Sequence, residues 1–312
     1  YTLFDKDVEY VVMEVSSHAL ALNRIAGCEF DVGVFTNISQ DHLDFHENFA
    51  NYIDAKAQLF RLLGAPDSVK QGKTAVINLD DHAAEKILAS SSCPIITYGV
   101  EKQADIVARE ISIKAGSTEY SIVGSFGTVP LKLKLTGMFN VYNVMAAVGV
   151  ALAEKISFET ICHALQNFTS VPGRFEFVEA GQPFSVIVDY AHTPDGLENI
   201  LKTAKQFARE KIIVVFGCGG DRDRTKRPIM GRIAIQYADA VIITSDNPRS
   251  EEPENILIEV ETGIKEGLTP PKQYQKITDR RQAIKTALEM AQEQDVVIIA
   301  GKGHETYQVL KD

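Results

Sequence analysis

The sequence predicts an α/β protein with a mostly parallel first sheet, an antiparallel hairpin portion, and a second α/β sheet. Short β-branched runs alternate with amphipathic stretches of helical spacing, a pattern typical of mostly parallel sheets. Between these regions, alternating residues punctuated by glycines favour hairpins. In the second half, four apolar runs are each followed by a polar or glycine-rich segment. These observations together predict two α/β regions joined by a short connection.

The first half contains predicted strands, helices and then hairpins. The strands are Val8–Glu14, Val32–Thr36, Ala75–Leu79 and Ile95–Gly99. The hairpins occupy Ile106–Leu135, where the pattern changes to alternation. The helices are Asn51–Leu63, Ala83–Ser90, Val141–Lys155 and Phe158–Asn167. Ser157, just before the last of these, is a residue type that caps helix starts.

The second half repeats one unit four times after a predicted linker at Ser170–Gly173, where Pro and Gly interrupt the pattern. The strands and the segments that follow them are Phe184–Val188 with DYAHTP, Lys211–Phe216 with GCGGDRDR, Ala240–Thr244 with SDNPR, and Val296–Ala300 with GKGHE. Ligands of open α/β sheets bind outside the carboxyl ends of the strands. The four polar segments are therefore expected to converge on one crevice.

Composition limits the possible functions. At roughly 150 residues per domain, 312 residues suggest two domains. The net charge of −10 disfavours a nucleic-acid-binding or membrane-surface protein, because both partners attract basic faces. No window approaches 18 consecutive apolar residues, and the first residues, YTLFDKDVEYVV, lack a signal-peptide pattern. The four cysteines are far apart, which favours reduced thiols in a cytoplasm.

Two segments of the first half carry candidate metal ligands. MEVSSH ends an apolar run with Glu14, and a carboxylate there suits Mg²⁺; a strand end followed by a capped helix is the alternative. In DHLDFH, His42 and His46 are four residues apart, but Leu43 replaces the Glu of the zinc signature. A histidine at a magnesium–phosphate site and an ordinary surface loop both remain open there. Lys56, on an amphipathic helix, has no assigned role from its spacing alone.

The second half carries candidate anion-binding groups. Asp221–Arg232 holds five basic residues against two acidic ones, and arginine forks bind carboxylates and phosphates; a solvated basic stretch is the alternative. In DNPR, Arg249 could bind the carboxylate of a zwitterion and Asp246 its ammonium group. Glu305 offers a second carboxylate from a neighbouring strand end. Gly217–Gly220 lacks the G-x-G-x-x-G spacing, so its match to the dinucleotide-binding fingerprint is incomplete.

Taken together, these motifs resemble the Mur ligase family, the ATP-dependent amino-acid ligases of peptidoglycan precursor synthesis. Nine segments carry the resemblance in family order along nearly the whole chain: MEVSSHAL, FTNISQDHLDFH, YIDAKAQLF, GMFNVYN, VPGRFE, VDYAHTPDGLENIL, GCGGDRDRTKRPIMG, TSDNPR and AGKGHE. The resemblance implies an incomplete central ATP-binding domain over residues 1–171. It also implies a Rossmann-like α/β C-terminal domain, slightly truncated, over residues 172–312.

The resemblance assigns the first group of site residues. It implies that Glu14, His42 and Lys56 bind Mg²⁺ and form the catalytic centre, with Lys56 carbamylated by CO₂. Carbamylation would turn a cation into an anionic oxygen ligand for a metal. Contacts to UDP-N-acetylmuramoyl-L-Ala-D-Glu are implied for Ser16 and Arg24.

The resemblance also assigns the nucleotide and amino-acid contacts. ATP contacts are implied for Asn143, Arg174 and Asp189. The pocket for the incoming amino acid is implied for Arg222, Asp246, Asn247, Arg249, Gly301 and Glu305. The Asp-Asn-Pro-Arg sequence is similar to that of members that add meso-diaminopimelate. This is consistent with the chemistry, because that amino acid has a carboxylate that lysine lacks, and an arginine can bind a carboxylate through two parallel hydrogen bonds.

One part of the family pattern is absent. The phosphate loop G-x-x-G-K-[ST] should precede Glu14, and neither it nor an amino-terminal domain is present. The chain is therefore expected to be a fragment that does not turn over ATP alone, because the β- and γ-phosphates lose their cradle. The implied protein works as a monomer with no nucleic-acid or membrane partner.

Other functions stay open at this point. An L-lysine-adding ligase, another Mur-type ligase or a folylpolyglutamate synthetase would share the ATP-binding core. A nucleotide-dependent oxidoreductase would rest on the GCGG turn, against its broken spacing. A non-catalytic module that binds a nucleotide or a wall precursor is the third alternative, which the missing phosphate loop leaves open for this fragment.

Overall fold

The computed structural model describes residues 8–38, 43–65, 69–267 and 269–311. It confirms the α/β class, with two six-stranded sheets of mostly parallel strands. In the part of the chain that it describes, no helix has the length and apolar character needed to cross a bilayer.

The first sheet has its strands in chain order, β1 to β6. They are β1 Val32–Phe35, β2 Thr74–Asn78, β3 Ile95–Gly99, β4 Ile106–Lys114, β5 Ser117–Gly124 and β6 Gly127–Leu133. The first four pair in parallel. Only two residues separate β4 from β5 and β5 from β6, and such short connections join antiparallel neighbours, so the predicted hairpins are present.

Six helices belong to the same half of the chain: α1 Ser17–Ala21, α2 Leu43–His46, α3 Phe49–Leu63, α4 Ala84–Ser90, α5 Met138–Ala153 and α6 Phe158–Asn167. Helix α3 begins after Asn48, whose side chain accepts the backbone N–H of Asn51. It buries Ala57, Phe60 and Leu63 against the first sheet. The predicted helices of this half are all confirmed, and α1 and α2 are additional.

One predicted strand is wrong. Residues 8–14 form no strand, and Tyr10, Val11 and Val12 are 63%, 62% and 99% exposed. An apolar run becomes a strand only when a neighbouring strand satisfies its N–H and C=O groups. None of the described strands pairs with this run.

The second sheet has the order β11-β10-β9-β12-β8-β7. Its strands are β7 Glu176–Phe177, β8 Ser185–Asp189, β9 Ile212–Phe216, β10 Ala240–Ile243, β11 Gln273–Lys276 and β12 Val296–Ala300. All neighbours pair in parallel except β7, which is antiparallel to β8. Its helices are α7 Pro194–Lys205, α8 Lys226–Tyr237, α9 Pro253–Gly267 and α10 Arg280–Met290.

The apolar core lies on both faces of the second sheet. Along β9, Ile212, Val214 and Phe216 pack in the cluster that contains residues of α7, α8 and α9. The alternate residues, Ile213 and Val215, pack with residues of α10. A strand buried on both faces reads as a continuous apolar run, which is why IIVVF was recognisable in the sequence.

The chain divides into two compact units. The first comprises Tyr1–Arg109, Ile122–Thr128 and Tyr142–Ile161, and the second comprises Glu110–Ser121, Val129–Val141 and Cys162–Asp312. Because these ranges interleave, they do not test the single boundary at residues 171 and 172, which stays a prediction.

Candidate functional site

Four polar segments meet at the carboxyl ends of the central strands of the second sheet. The strands β10, β9, β12 and β8 are neighbours in that order. The Gly301 N–H donates to the Asp189 carbonyl at 3.0 Å, and the Gly220 N–H donates to the Asn247 carbonyl at 2.9 Å. These bonds join the segments that follow different strands. The convergence expected from the sequence is therefore present within the second unit, and the space between these four segments is the candidate crevice.

Lys302 lies at the centre of this crevice. Its Nζ donates to Asn247 Oδ1 at 3.0 Å and to Glu305 Oε2 at 2.9 Å, and it lies 3.7 Å from Asp246 Oδ1. Tyr190, after β8, adds its hydroxyl at 3.4 Å from the other oxygen of Glu305. The hydrogen bond from Lys302 is the main reason that the pKa of Glu305 lies below its usual range. Three residues assigned by the resemblance thus share one cation that the sequence interpretation left unassigned.

Gly301 permits the close approach of Asp246. Its φ is +112°, and a Cβ built on it would stand 2.9 Å from Asp246 Oδ2. A residue with a side chain would be strained at this φ, and the Asp246 carboxylate would have to shift. Beside it, Arg280 from α10 donates from Nη2 to the Ala300 carbonyl at 2.8 Å. Its Nη1 is buried and has no hydrogen-bond partner among the described residues, as is also true of Ser245 Oγ.

Arg249 and Arg222 lie at the glycine-rich turn after β9. The Nη1 of Arg249 donates to the Gly220 carbonyl at 2.6 Å. This atom and Cγ of Arg222 lie 3.0 and 3.8 Å from the point where a Cβ would stand on Gly219. Arg249 has a φ of +54°, a costly backbone state for a residue with a side chain. Such states persist where contacts of the surrounding structure hold the backbone in place.

The other basic residues near this turn have structural partners. Arg227 is fully buried; its two terminal nitrogens bond Glu251 and Glu259 at 2.8–2.9 Å, and Nη2 also bonds the Gly219 carbonyl at 3.1 Å. Arg224 pairs with Glu259 and Arg232 pairs with Glu266. Neither anion binding nor a solvated basic stretch describes all of residues 221–232, because Arg227 belongs to the core while Arg222 is exposed.

This ion cluster predicts acid sensitivity. Hydrogen bonding from Arg227 lowers the pKa of Glu251 from 4.5 to about 2 in the folded protein. A carboxyl with a depressed folded pKa stabilises the fold fully above its unfolded pKa, and the contribution is lost as pH falls toward the folded pKa. Urea unfolding between about pH 5 and pH 2 is therefore expected to show a steeper loss of stability in the wild type than in Glu251→Gln. Equal slopes would contradict this.

Arg174 and Asp189, the implied ATP contacts of the second unit, lie beside Tyr190. The Arg174 guanidinium stands 4.6 Å from the ring centroid of Tyr190. Asp189 accepts the N–H groups of Phe175 at 2.7 Å and Ala191 at 2.6 Å. Burial raises the pKa of Asp189, against the effect of those hydrogen bonds. Asp189 therefore fixes the backbone of two segments, whereas Arg174 is exposed.

Glu14, Ser16 and Arg24 surround the first short helix of the first unit. Ser16 caps α1, with its side chain accepting the Ala19 N–H at 3.2 Å. All three predicted residues are exposed. Their predicted roles in binding Mg²⁺ and the UDP-linked substrate stay predictions.

Lys56 lies on α3 in a group of aromatic side chains. Its Nζ is 5.3 Å from the centroid of the Tyr52 ring, and that ring lies 5.2 Å from His46. His46 is buried, and its Nε2 lies 2.9 Å from Ser17 Oγ. His46 is therefore a packed residue that links α2 to α1. The other predicted histidine, His42, lies outside the described residues.

Asn143, the implied adenine contact, lies exposed on α5. The adjacent Tyr142 donates its hydroxyl to Asp80 at 2.9 Å, and Asp80 also accepts the N–H groups of Val100, Glu101 and Lys102. Sequence reasoning missed this carboxylate; its signal was the pair of aspartates that begins two residues after β2. Among the described residues, no group of three His, Cys, Asp or Glu side chains could hold a metal ion.

Two family models match this chain. The Mur ligase middle domain matches residues 1–151, and the glutamate ligase domain of Mur ligases matches residues 173–303. A curated relative from Geobacillus thermodenitrificans, named UDP-N-acetylmuramoyl-L-alanyl-D-glutamate–2,6-diaminopimelate ligase, is 50% identical over 310 residues, 99% of this chain. A relative of the same name from Bacillus cereus is 48% identical over 308 residues, also 99% of this chain. This chain spans 63% and 62% of their lengths.

Two solved structures are also similar to this chain. A structure described as UDP-N-acetylmuramoyl-L-alanyl-D-glutamate–2,6-diaminopimelate ligase has 37% identity and a TM-score of 0.62, over 95% of this chain and 59% of that one. MurF from Acinetobacter baumannii has a TM-score of 0.68 at 20% identity, over 86% of this chain and 56% of that one. The second likeness concerns the fold alone.

Proposed function

This chain belongs to the Mur ligase family, and on that premise we propose that it is the ATP- and amino-acid-binding part of a diaminopimelate-adding ligase. The proposed reaction joins meso-diaminopimelate to the γ-carboxylate of the D-glutamyl residue in UDP-N-acetylmuramoyl-L-Ala-D-Glu. The observation that carries this proposal is the convergence of Asp246, Asn247, Arg249 and Glu305 on one set of strand ends. The names of the relatives support it, since they describe diaminopimelate ligases.

The charges of this crevice suit a diamino diacid. Arg249 and Arg222, beside the glycine-rich turn, are the proposed partners of the carboxylate that lysine lacks. Asp246 and Glu305, on the neighbouring strand ends, are the proposed partners of an ammonium group. L-lysine lacks this second carboxylate, which is why we favour diaminopimelate over L-lysine.

The proposed chemistry needs no nucleophilic side chain. The γ-carboxylate attacks the γ-phosphorus of ATP, ADP leaves, and an acyl phosphate forms. The free amine of diaminopimelate then attacks the acyl carbon; the tetrahedral intermediate loses phosphate, and the amine loses a proton as the amide forms. The protein contributes by holding the reactants together and by stabilising the developing charge. We propose that Asn143, Arg174 and Asp189 bind ATP.

The proposed magnesium ligands belong to the first unit. The Glu14 carboxylate and a carbamate on Lys56 are oxygen donors, the class that Mg²⁺ prefers, and His42 would add an imidazole. A lysine ammonium has no lone pair for a metal, so this donor set fits Mg²⁺ only with Lys56 carbamylated. When bound, the metal would neutralise the charge of the triphosphate.

We further propose that the protein is a cytoplasmic monomer. The cysteines support a reducing compartment, because all four are unpaired thiols in the structure. The net charge of −10 supports small-molecule partners rather than nucleic acid or a membrane surface.

Arg249→Ala tests the amino-acid assignment. It is expected to weaken diaminopimelate binding by about 1.5–3 kcal/mol, the magnitude of a charged hydrogen bond, and to leave ATP binding unchanged. Calorimetry measures the affinity of this chain for diaminopimelate and for ATP, and the two KM values of the full-length ligase provide a second measurement. Arg232→Ala is the control, because Arg232 is exposed and pairs with Glu266. An unchanged affinity for diaminopimelate would remove Arg249 from the pocket, and binding without ligation in the full-length protein would favour the non-catalytic alternative.

A further inference from the structure

Lys302 has a place in the crevice that neither the motifs nor the comparisons explain. It lies two residues after the end of β12, and its side chain is only 9% exposed. A lysine is rarely buried unless it is paired, because removing its charge from water is costly. Here the cost is offset by contacts with side chains from two of the four converging segments. We propose that Lys302 is the positioning residue of the amino-acid pocket, fixing Asn247 and Glu305 in the orientation that receives diaminopimelate.

The orientation of the Asn247 amide depends on Lys302. Its Oδ1 accepts two hydrogen bonds, from Lys302 Nζ at 3.0 Å and from the Val309 N–H at 2.9 Å. With the oxygen directed to these donors, Nδ2 is directed to Glu305, 3.5 Å from Oε2. Without Lys302 the oxygen would keep one donor, and the amide could rotate to a different set of partners. Lys302 therefore fixes whether a ligand meets the oxygen or the nitrogen of this amide.

Lys302 also balances the charge of the pocket. The groups that face Glu305 are Lys302, the Tyr190 hydroxyl after β8, Asp246 and Asn247 after β10, and Arg280 on α10. The buried cations Lys302 and Arg280 match the carboxylates Asp246 and Glu305. Removing Lys302 would leave two close carboxylates with one buried cation, and like charges that share a site favour protonation of one of them. A neutral carboxyl would attract a ligand ammonium group less strongly.

The backbone of this segment does not depend on the Lys302 side chain. The N–H groups of Gly301 and Gly303 both donate to the Asp189 carbonyl, at 3.0 and 3.2 Å. The Glu305 N–H donates to the Lys302 carbonyl at 2.8 Å. A variant that keeps the length of the side chain and removes its charge, Lys302→Met, is therefore expected to fold.

This inference rests on the proposed function, and its test uses steady-state kinetics of the full-length ligase. We expect Lys302→Met to raise the KM for diaminopimelate about tenfold or more, the effect of a lost charged hydrogen bond, with the KM for ATP within about twofold of wild type. As the pH is lowered, the KM of Lys302→Met for diaminopimelate should also begin to rise at a higher pH than that of the wild type. The matched control is Lys272→Met, because Lys272 caps the carbonyls of Ile235 and Gln236 away from this crevice.

Two measurements separate the possible failures. A crystal structure of Lys302→Met with Asn247 and Glu305 unmoved would overturn the proposal, as would an unchanged KM for diaminopimelate or equal increases in both KM values. If the wild-type ligase rejects diaminopimelate, the proposed function fails instead. The KM for the amino acid that it does accept, together with the same crystal structure, then decides the role of Lys302.

Discussion

Lys56→Ala is expected to abolish ligation in the full-length enzyme, with a fall in kcat of about 10³-fold or more. The carbamate would supply anionic oxygen for a metal ion that contributes several kcal/mol of charge stabilisation to phosphoryl transfer, and each ~1.4 kcal/mol is a factor of ten. In the structure, Nζ lies 5.3 Å from the centroid of the Tyr52 ring. Carbamylation would forfeit that cation–π attraction at a half-buried lysine, an attraction worth about 0.5–2 kcal/mol. The several kcal/mol expected from the metal exceed this attraction.

Phosphate release in the presence of all three substrates measures this loss. Short carboxylic acids are expected to restore part of the activity of Lys56→Ala, because a free carboxylate can replace the missing anionic oxygen. Lys86→Ala is a control in the same unit, since Lys86 is an exposed lysine that pairs with Asp54. Activity at the wild-type level in Lys56→Ala without added acid would remove Lys56 from the mechanism.

Arg227→Met is expected to destabilise the chain by about 3–5 kcal/mol, because it leaves two carboxylates without their buried partner. Arg227 is fully buried and bonds both Glu251 and Glu259. Its bond to the Gly219 carbonyl also holds the turn beside Arg222 and Arg249. Loss of Arg227 should therefore weaken diaminopimelate binding in whatever fraction of the chain remains folded.

Thermal and urea unfolding of this chain measure the stability change. Arg224→Met is the matched control, because Arg224 also pairs with Glu259 but its side chain is 65% exposed. Exposed ion pairs contribute about 0–1 kcal/mol, so the control should lose far less stability. Equal losses in the two variants would show that burial of Arg227 is not what makes its ion pairs important.

The strands β2, β9 and β10, which are buried along their whole length, were all predicted from the sequence. The run IIVVF of β9 is apolar throughout, because both faces of that strand are covered. β11 was missed, since its sequence QYQK is largely exposed at the sheet edge and lacks an apolar pattern. Residues 8–14 show the opposite error, because an apolar run without a paired neighbour forms no strand.

The candidate site, too, was predicted from the sequence only in part. Residue type and order in DNPR and GKGHE indicated an amino-acid pocket, and the strand–loop pattern placed those segments at one sheet edge. Sequence spacing could not show that Lys302 binds Asn247, which is 55 positions away along the chain. Nor could it separate Arg227, which is buried, from Arg222, which is exposed.

The sequence by itself determined the α/β class, the resemblance to Mur ligases and the chemical character of each loop, because these depend on local pattern and residue type. The tertiary structure alone decided which charges pair, which are buried and which face a ligand. The physical reason is that burial and electrostatic pairing depend on distance in space. Strand order brings together residues from distant parts of the chain.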